Sequence, residues 1–156
     1  MIDFKKDTTI KYMFHTVHDI TPEFLREIGV EAVAFDLDNT SVKDSTLTTI
    51  PGAISWIKLL KEAGFKVAIV TNTPHIRAYW FSKAFGAPFH AYSKKPLPHG
   101  IMKMAKKLKV DISKIAMGGD QVLTDVVAAN RCGAIPILVD PIEKERLFKK
   151  HFERSR

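Results

Sequence analysis

The chain has 156 residues, 46% hydrophobic and 26% charged, which excludes disorder and fits one domain spanning residues 1–156 with a core that needs no staples. Twenty-four Lys and Arg against seventeen Asp and Glu leave a formal +7, a surface that attracts phosphate esters, anionic lipid or nucleic acid. Cys132 is the only cysteine, so an internal disulfide and a cysteine-rich zinc site are excluded and a reducing, cytoplasmic setting is expected.

In chain order, the start MIDFKKDTTIKYMF lacks the apolar stretch and small-residue cleavage site of a signal peptide. Ile10, Met13, Phe14 and Val17 have helical spacing, which predicts a segment packed on the core, with membrane insertion as the alternative. Thr21 caps a helix with Pro22 at its first position, and Gly29 stops it. The apolar run 32–35 is the first expected strand and ends in Asp36. Pro51 opens a second helix along Ile54, Ile57 and Leu60, and Gly64 closes it. Residues 67–70 form a second strand. Thr73-Pro74 repeats the cap-plus-proline signal for a helix ending at Gly86. A weak third strand at 89–92 precedes a helix marked by Ile101, Met104, Ala105 and Leu108. A fourth strand at 115–117 leads into Gly118-Gly119-Asp120, the next helix closes at Gly133, and 135–139 is the fifth strand. A charged helix from about Glu143 finishes the chain. Alternating helices and near-continuously apolar strands predict a doubly wound parallel α/β sheet, covered on both faces. In such sheets ligands bind beyond the carboxyl ends of the strands, where the strand order reverses.

Those strand ends carry chemistry. The first runs into Asp36-Leu37-Asp38-Asn39-Thr40, the second into Thr71-Asn72-Thr73 and the fourth into Gly119-Asp120, with Asp125 beyond. The loop after the third strand holds Lys94-Lys95-Pro96. Turns and caps alone account for single Asp, Asn or Thr residues, but do not require an acid after both central strands. Carboxylates gathered this closely repel unless a cation sits among them, and oxygen ligands with room for water suit Mg²⁺. His15 and His18 are the only close histidine pair and no cysteine joins them, so zinc does not fit. A carboxylate beside such an ion can attack phosphorus, and a second Asp two residues on can move the proton. Extended alternation turns Leu37 away from both.

At this point the motifs resemble a family. FDLDNT, VTNT, KKP and GGDQVLTD are similar, in order, to the four motifs of the haloacid dehalogenase superfamily, and the wording DLDNT, K-P and GDQ-x-x-TD resembles its YqeG subgroup of phosphatases. The resemblance implies a Rossmann-like core and hydrolysis of a phosphomonoester through an aspartyl-phosphate. It implies Asp36 as nucleophile, Asp38 as general acid/base and Thr71 and Lys95 as catalytic partners, with Asp125 holding Lys95 or a metal-bound water. Asp36, the Asp38 backbone carbonyl and Asp120 would hold Mg²⁺; Asn39, Thr40, Asn72 and Lys95 would contact substrate. Ser41 and Gly118 depart from the aliphatic residues common at those places. Only ten residues, 41–50, separate the first motif from the next helix, too few for a separate cap domain. The resemblance then implies a large substrate or a neighbouring subunit as lid, so a homo-oligomer is compatible. It extends to phosphatases of phosphatidylglycerophosphate, which makes a lipid phosphate the leading specific substrate.

The remaining features read as surface. Residues 94–109 carry six lysines and no acid, either a solvated helix face or a rim that docks peripherally on anionic membrane. Aromatics are not interleaved with these lysines, so nucleic acid is not an expected partner. Asn39-Thr40-Ser41 matches a glycosylation pattern only by coincidence with the first motif, His75 reads as a capping or surface residue, and Cys132 as a small buried residue. Two rivals stay open. A receiver-like signalling domain uses similar groups, but it places its phosphoacceptor after the third strand, where this chain offers Ser93-Lys94-Lys95 and no Asp. The other is a non-catalytic adaptor on the same fold.

Overall fold

Short runs of Ala, Val, Ile and Phe, bounded by Gly, Pro and Asp, form central strands that are buried on both faces. The computed structural model describes residues 3–38, 40, 49 and 51–141. Its strands are β1 Tyr12–Phe14, β2 Ala32–Phe35, β3 Lys66–Val70, β4 Phe89–His90, β5 Ile115–Gly119 and β6 Ile135–Val139. They form one sheet in the order β1-β6-β5-β2-β3-β4, with every neighbouring pair parallel. Every residue of β2 and β5 is buried. The helices are α1 Phe4–Asp7, α2 Pro22–Glu27, α3 Ala53–Glu62, α4 His75–Phe85, α5 His99–Leu108 and α6 Val127–Cys132. A π-helical turn at Val122–Val126 leads into α6.

Strand alternation divides the core into two layers. Val33, Phe35, Val67 and Ile69 face Leu25, Trp56, Leu60 and Phe81 from α2, α3 and α4. Ala32, Ala34, Ala68 and Met117 face Ile101, Met104 and Ala128 from α5 and α6. The chain moves outward from β2 through β3 to β4, then returns along α5 to β5 on the other side of β2. Strand order therefore reverses between β2 and β5. Their carboxyl ends open a crevice there, the position that doubly wound sheets use for ligands.

The expected doubly wound α/β fold is present, with three local differences. The segment 10–17 does not form a helix: Tyr12 and Phe14 alternate with Met13 in β1, which pairs with β6. Both rings pack edge-on against Phe24, at 5.2 and 5.0 Å, while Met13 stands 65% exposed, so the operative period is two and not 3.6. Pro74, not Thr73, takes the N-cap position of α4, because the Thr73 hydroxyl is turned inward to accept from Arg77. The third expected strand shortens to Phe89–His90. The expected charged helix from Glu143, with Asn39 and Ser41, lies outside the described residues. Among the described residues no helix is long and apolar enough to cross a membrane.

Candidate active site

Each element around the crevice delivers one side chain because its strand stops there. β2 ends at Phe35 and hands Asp36 to the crevice, while buried Leu37 turns into the core. β5 ends at Gly119 and presents Asp120. The π-helical turn brings Asp125 back under the same point, and the loop after β4 carries Lys95 in from the other side. Oxygen atoms of Asp36, Asp120 and Asp125 all lie within 4.8 Å of one another. The Lys95 ammonium is 2.5 Å from Asp125 Oδ1 and 3.3 Å from Asp36 Oδ1, and also donates to the Val70 carbonyl at 3.0 Å. Lys94 is exposed.

Three carboxylates around one ammonium leave an excess of negative charge in a poorly solvated place. Burial, with the charge of Asp125, raises Asp36 from 3.8 to about 6 despite the opposing pull of Lys95. Burial raises Asp120 to about 7, and the Asp125 and Asp36 charges push the same way. Burial works against the charge of Lys95, but Asp36 and Asp125 overcome it and hold the ammonium above its ordinary range. An all-oxygen donor set with surplus negative charge fits a hard divalent cation with a partly hydrated shell. It does not fit zinc, which prefers nitrogen and sulfur ligands.

Backbone and hydroxyl contacts fix this arrangement. The Leu37 N–H donates to Asp36 Oδ1 at 2.8 Å, and the Gln121 N–H to Asp125 Oδ2 at 3.2 Å. Thr40 is buried and its hydroxyl lies 3.4 Å from Asp120 Oδ1. Thr71 is buried at the end of β3, where its Oγ1 accepts from the Thr73 N–H. Asn72 clamps the lysine loop from both sides: its Oδ1 accepts from the Lys95 N–H at 2.9 Å and its Nδ2 donates to the Lys95 carbonyl at 3.4 Å. A Cβ on Gly119 would collide with the Asp125 carboxylate, so the absence of a side chain there lets the acid reach Lys95. Gly118 has no such constraint; a Cβ there would meet only ordinary contacts at 3.9–4.0 Å.

Asp38 sits apart from the buried cluster. Arg77, in the first turn of α4, grips it with two nitrogens: Nη1 to Oδ2 at 2.9 Å and Nη2 to Oδ1 at 2.7 Å. Arg77 also donates to the Thr73 hydroxyl at 3.0 Å. Sequence reasoning missed this residue. The signal for it was physical: a cation in the first turn of a helix opposes the helix dipole and calls for an acidic partner. His75 is exposed and packs against Tyr79 and Phe89, and reaches none of the cluster residues through a described contact. Cys132 is half-buried near the end of α6.

Residues 22–133 match the haloacid dehalogenase-like hydrolases. Over 152 residues the chain is 36% identical to the probable phosphatase YqeG of Bacillus subtilis (strain 168), covering 97% of this chain and 86% of that one. It is 27% identical over 131 residues to the chloroplastic/mitochondrial phosphatidylglycerophosphate phosphatase 1 of Arabidopsis thaliana, covering 78% of this chain and 38% of that protein. The crystal structure of a haloacid dehalogenase superfamily hydrolase from Ehrlichia chaffeensis has the same fold, with a TM-score of 0.58 at 17% identity, covering 80% of this chain and 98% of that one.

Proposed function

This chain belongs to the haloacid dehalogenase-like hydrolases and is a phosphatase, and we propose that it cleaves phosphomonoesters through an aspartyl-phosphate on Asp36, with Mg²⁺ as cofactor. The observation that carries the reading is the gathering of Asp36, Asp120 and Asp125 around the buried Lys95. In this reading Asp36 attacks phosphorus as the ester P–O bond breaks, and Asp38 protonates the leaving alcohol oxygen. Asp38 then takes a proton from the water that attacks the acyl phosphate; inorganic phosphate leaves and Asp36 is restored. Lys95, Thr71 and Thr40 are suited to hold the transferring phosphoryl oxygens, and Asn72 keeps the lysine loop in register. Asp36, the Asp38 carbonyl and Asp120 would hold Mg²⁺, with Asp125 adjoining through Lys95. When bound, the ion neutralises the phosphoryl oxygens that would otherwise repel the carboxylate nucleophile. The Arg77–Asp38 pair holds this acid/base at the rim of the crevice.

The substrate class we assign is a phosphate monoester on an anionic glycerolipid. The Arabidopsis relative is named for such a lipid, and the ten residues 41–50 leave no room for a cap domain over the crevice. A reducing cytoplasmic compartment suits the single cysteine. Phosphate release from a panel of soluble and lipid monoesters, with Mg²⁺ and then with EDTA, tests the reading. Activity that EDTA abolishes and Mg²⁺ restores, with no phosphoryl adduct or turnover in Asp36→Asn, is the expected result. Full turnover by Asp36→Asn would end it.

A further inference from the structure

The two ends of the sheet differ in charge. From Ala63 to Val110 the sequence contains no Asp or Glu, against nine Lys and Arg. That span is one piece of the fold, comprising β3, α4, β4 and α5, and it builds the whole β4 end of the sheet. The described carboxylates of the cluster all come from outside it.

The outer side of α4 is also unusual. Its inner face buries Ala78, Phe81 and Phe85. An exposed helix face is ordinarily polar. Here Ile76, Tyr79 and Trp80, spaced three and four residues apart, stand 85%, 49% and 48% exposed on one side. Tyr79 and His75 wrap onto Phe89 of β4, with ring centres 6.3 and 5.0 Å away, and Lys83 Nζ lies 5.3 Å over the Tyr79 ring. The ridge starts one residue from Arg77, which holds Asp38, so it borders the mouth of the crevice.

From this ridge and its charge we infer that the α4 face docks on the surface of an anionic phospholipid bilayer, with Ile76, Tyr79 and Trp80 inserted at the headgroup boundary. The inference rests on the lipid-phosphate reading of the site. Trp and Tyr favour the membrane interface, and Lys83, exposed on the same side of α4, adds roughly 1 kcal/mol near an anionic surface. A second copy of the chain is a poor occupant: a two-fold interface sets a patch against itself, here Lys83 against Lys83 with no acid on α4 to offset it. Nucleic acid would match the charge but not the exposed Ile76, which offers it nothing to pair with. Docking this way turns the rim carrying Asp38 and Arg77 toward the headgroups, where a phosphate ester still anchored in lipid can enter sideways.

The experiment uses the full chain and vesicles of brominated phosphatidylglycerol and phosphatidylcholine, which carry no phosphate monoester. Trp56 is buried and Trp80 exposed, so fluorescence reports mainly on the ridge. Anionic vesicles should quench it, phosphatidylcholine vesicles alone should not, and Trp80→Phe should remove most of the quenching. Ile76→Asp with Trp80→Asp should weaken sedimentation with anionic vesicles at least about tenfold. Met13→Asp, exposed on the opposite edge strand, should not change it. Unchanged hydrolysis of p-nitrophenyl phosphate would show that each variant is folded. Absent quenching, equal loss in Met13→Asp, a dimer that shields Trp80 before lipid is added, or tighter binding of polyuridylate than of vesicles would each overturn the docking face. Because vesicle binding is read without catalysis, those failures leave the phosphatase reading intact. Wild-type protein that binds vesicles but hydrolyses no monoester would remove that reading alone.

Discussion

Two ion-pair systems stand about the same crevice and behave as opposites. Lys95 and Asp125 are each 1% exposed, with the Val70 carbonyl accepting from the ammonium and the Gln121 N–H donating to the carboxylate. Arg77 and Asp38 are 16% and 30% exposed and meet at the rim. A buried pair costs several kcal/mol to desolvate and cannot lose one partner cheaply. A rim pair is screened, contributes little, and can open. The contrast sets a rigidly held interior against a rim whose ion pair solvent can reach.

Substitutions can break that contrast, and the largest effect is expected inside. Lys95→Met strands three carboxylates, and a denaturant titration of the metal-free protein should show a loss of about 3–5 kcal/mol, with turnover abolished. Lys94→Met should stay within about 0.5 kcal/mol, as for other surface sites. Equal effects from the two lysines would contradict the geometry. At the rim, Asp38→Asn should lower kcat by roughly 10²–10⁴ while leaving the melting temperature near wild type.

Adjacent glycines sharpen the interior half of the comparison. Gly119→Ala drives a methyl group into the Asp125 carboxylate and should cost about 1–3 kcal/mol in thermal melts, with turnover falling alongside. Gly118→Ala meets open contacts and should be tolerated. Acidity gives a fourth check. Asp36 and Asp120 are raised to about 6 and about 7, so the folded, metal-free chain binds protons that the unfolded chain has already released. Stability from this site is therefore present at low pH and declines as pH rises from about 4 through about 7, because the unfolded state binds fewer protons there. Melts between about pH 5 and 8 in EDTA should show that decline, and added Mg²⁺ should reverse it and bind more tightly at higher pH. A metal-free protein whose stability rises over this window would exclude the crowded-carboxylate account. A small effect belongs to the rim: Arg77→Gln should change stability by at most about 1 kcal/mol.

Much of the molecule was legible beforehand because its signals are local. Apolar runs of four or five residues, proline at helix starts and glycine at helix ends located β2, β3, β5, β6 and most of the helices. Asp36, Thr71, Lys95 and Asp120 could be placed because each directly follows a strand, or lies in the loop between one and the next helix, and parallel sheets gather those ends. The segment 10–17 misled because four apolar residues at i, i+3, i+4 and i+7 satisfy a helix. Pairing with β6 and packing on Phe24 instead select the alternation of Tyr12, Met13 and Phe14.

By itself the sequence determined the fold class, the candidate site residues and the edge of the sheet on which they collect, since each depends on neighbours in the chain. Only the tertiary structure decided how the charges are shared. Lys95 meets Asp125 across 30 residues and Asp38 meets Arg77 across 39. It also decided that Asn72 clamps the backbone of Lys95, that Gly119 and not Gly118 must lack a side chain, and that Ile76, Tyr79 and Trp80 face outward beside the crevice. Burial and Coulomb energies depend on distance in space, and no local pattern of residues encodes that distance.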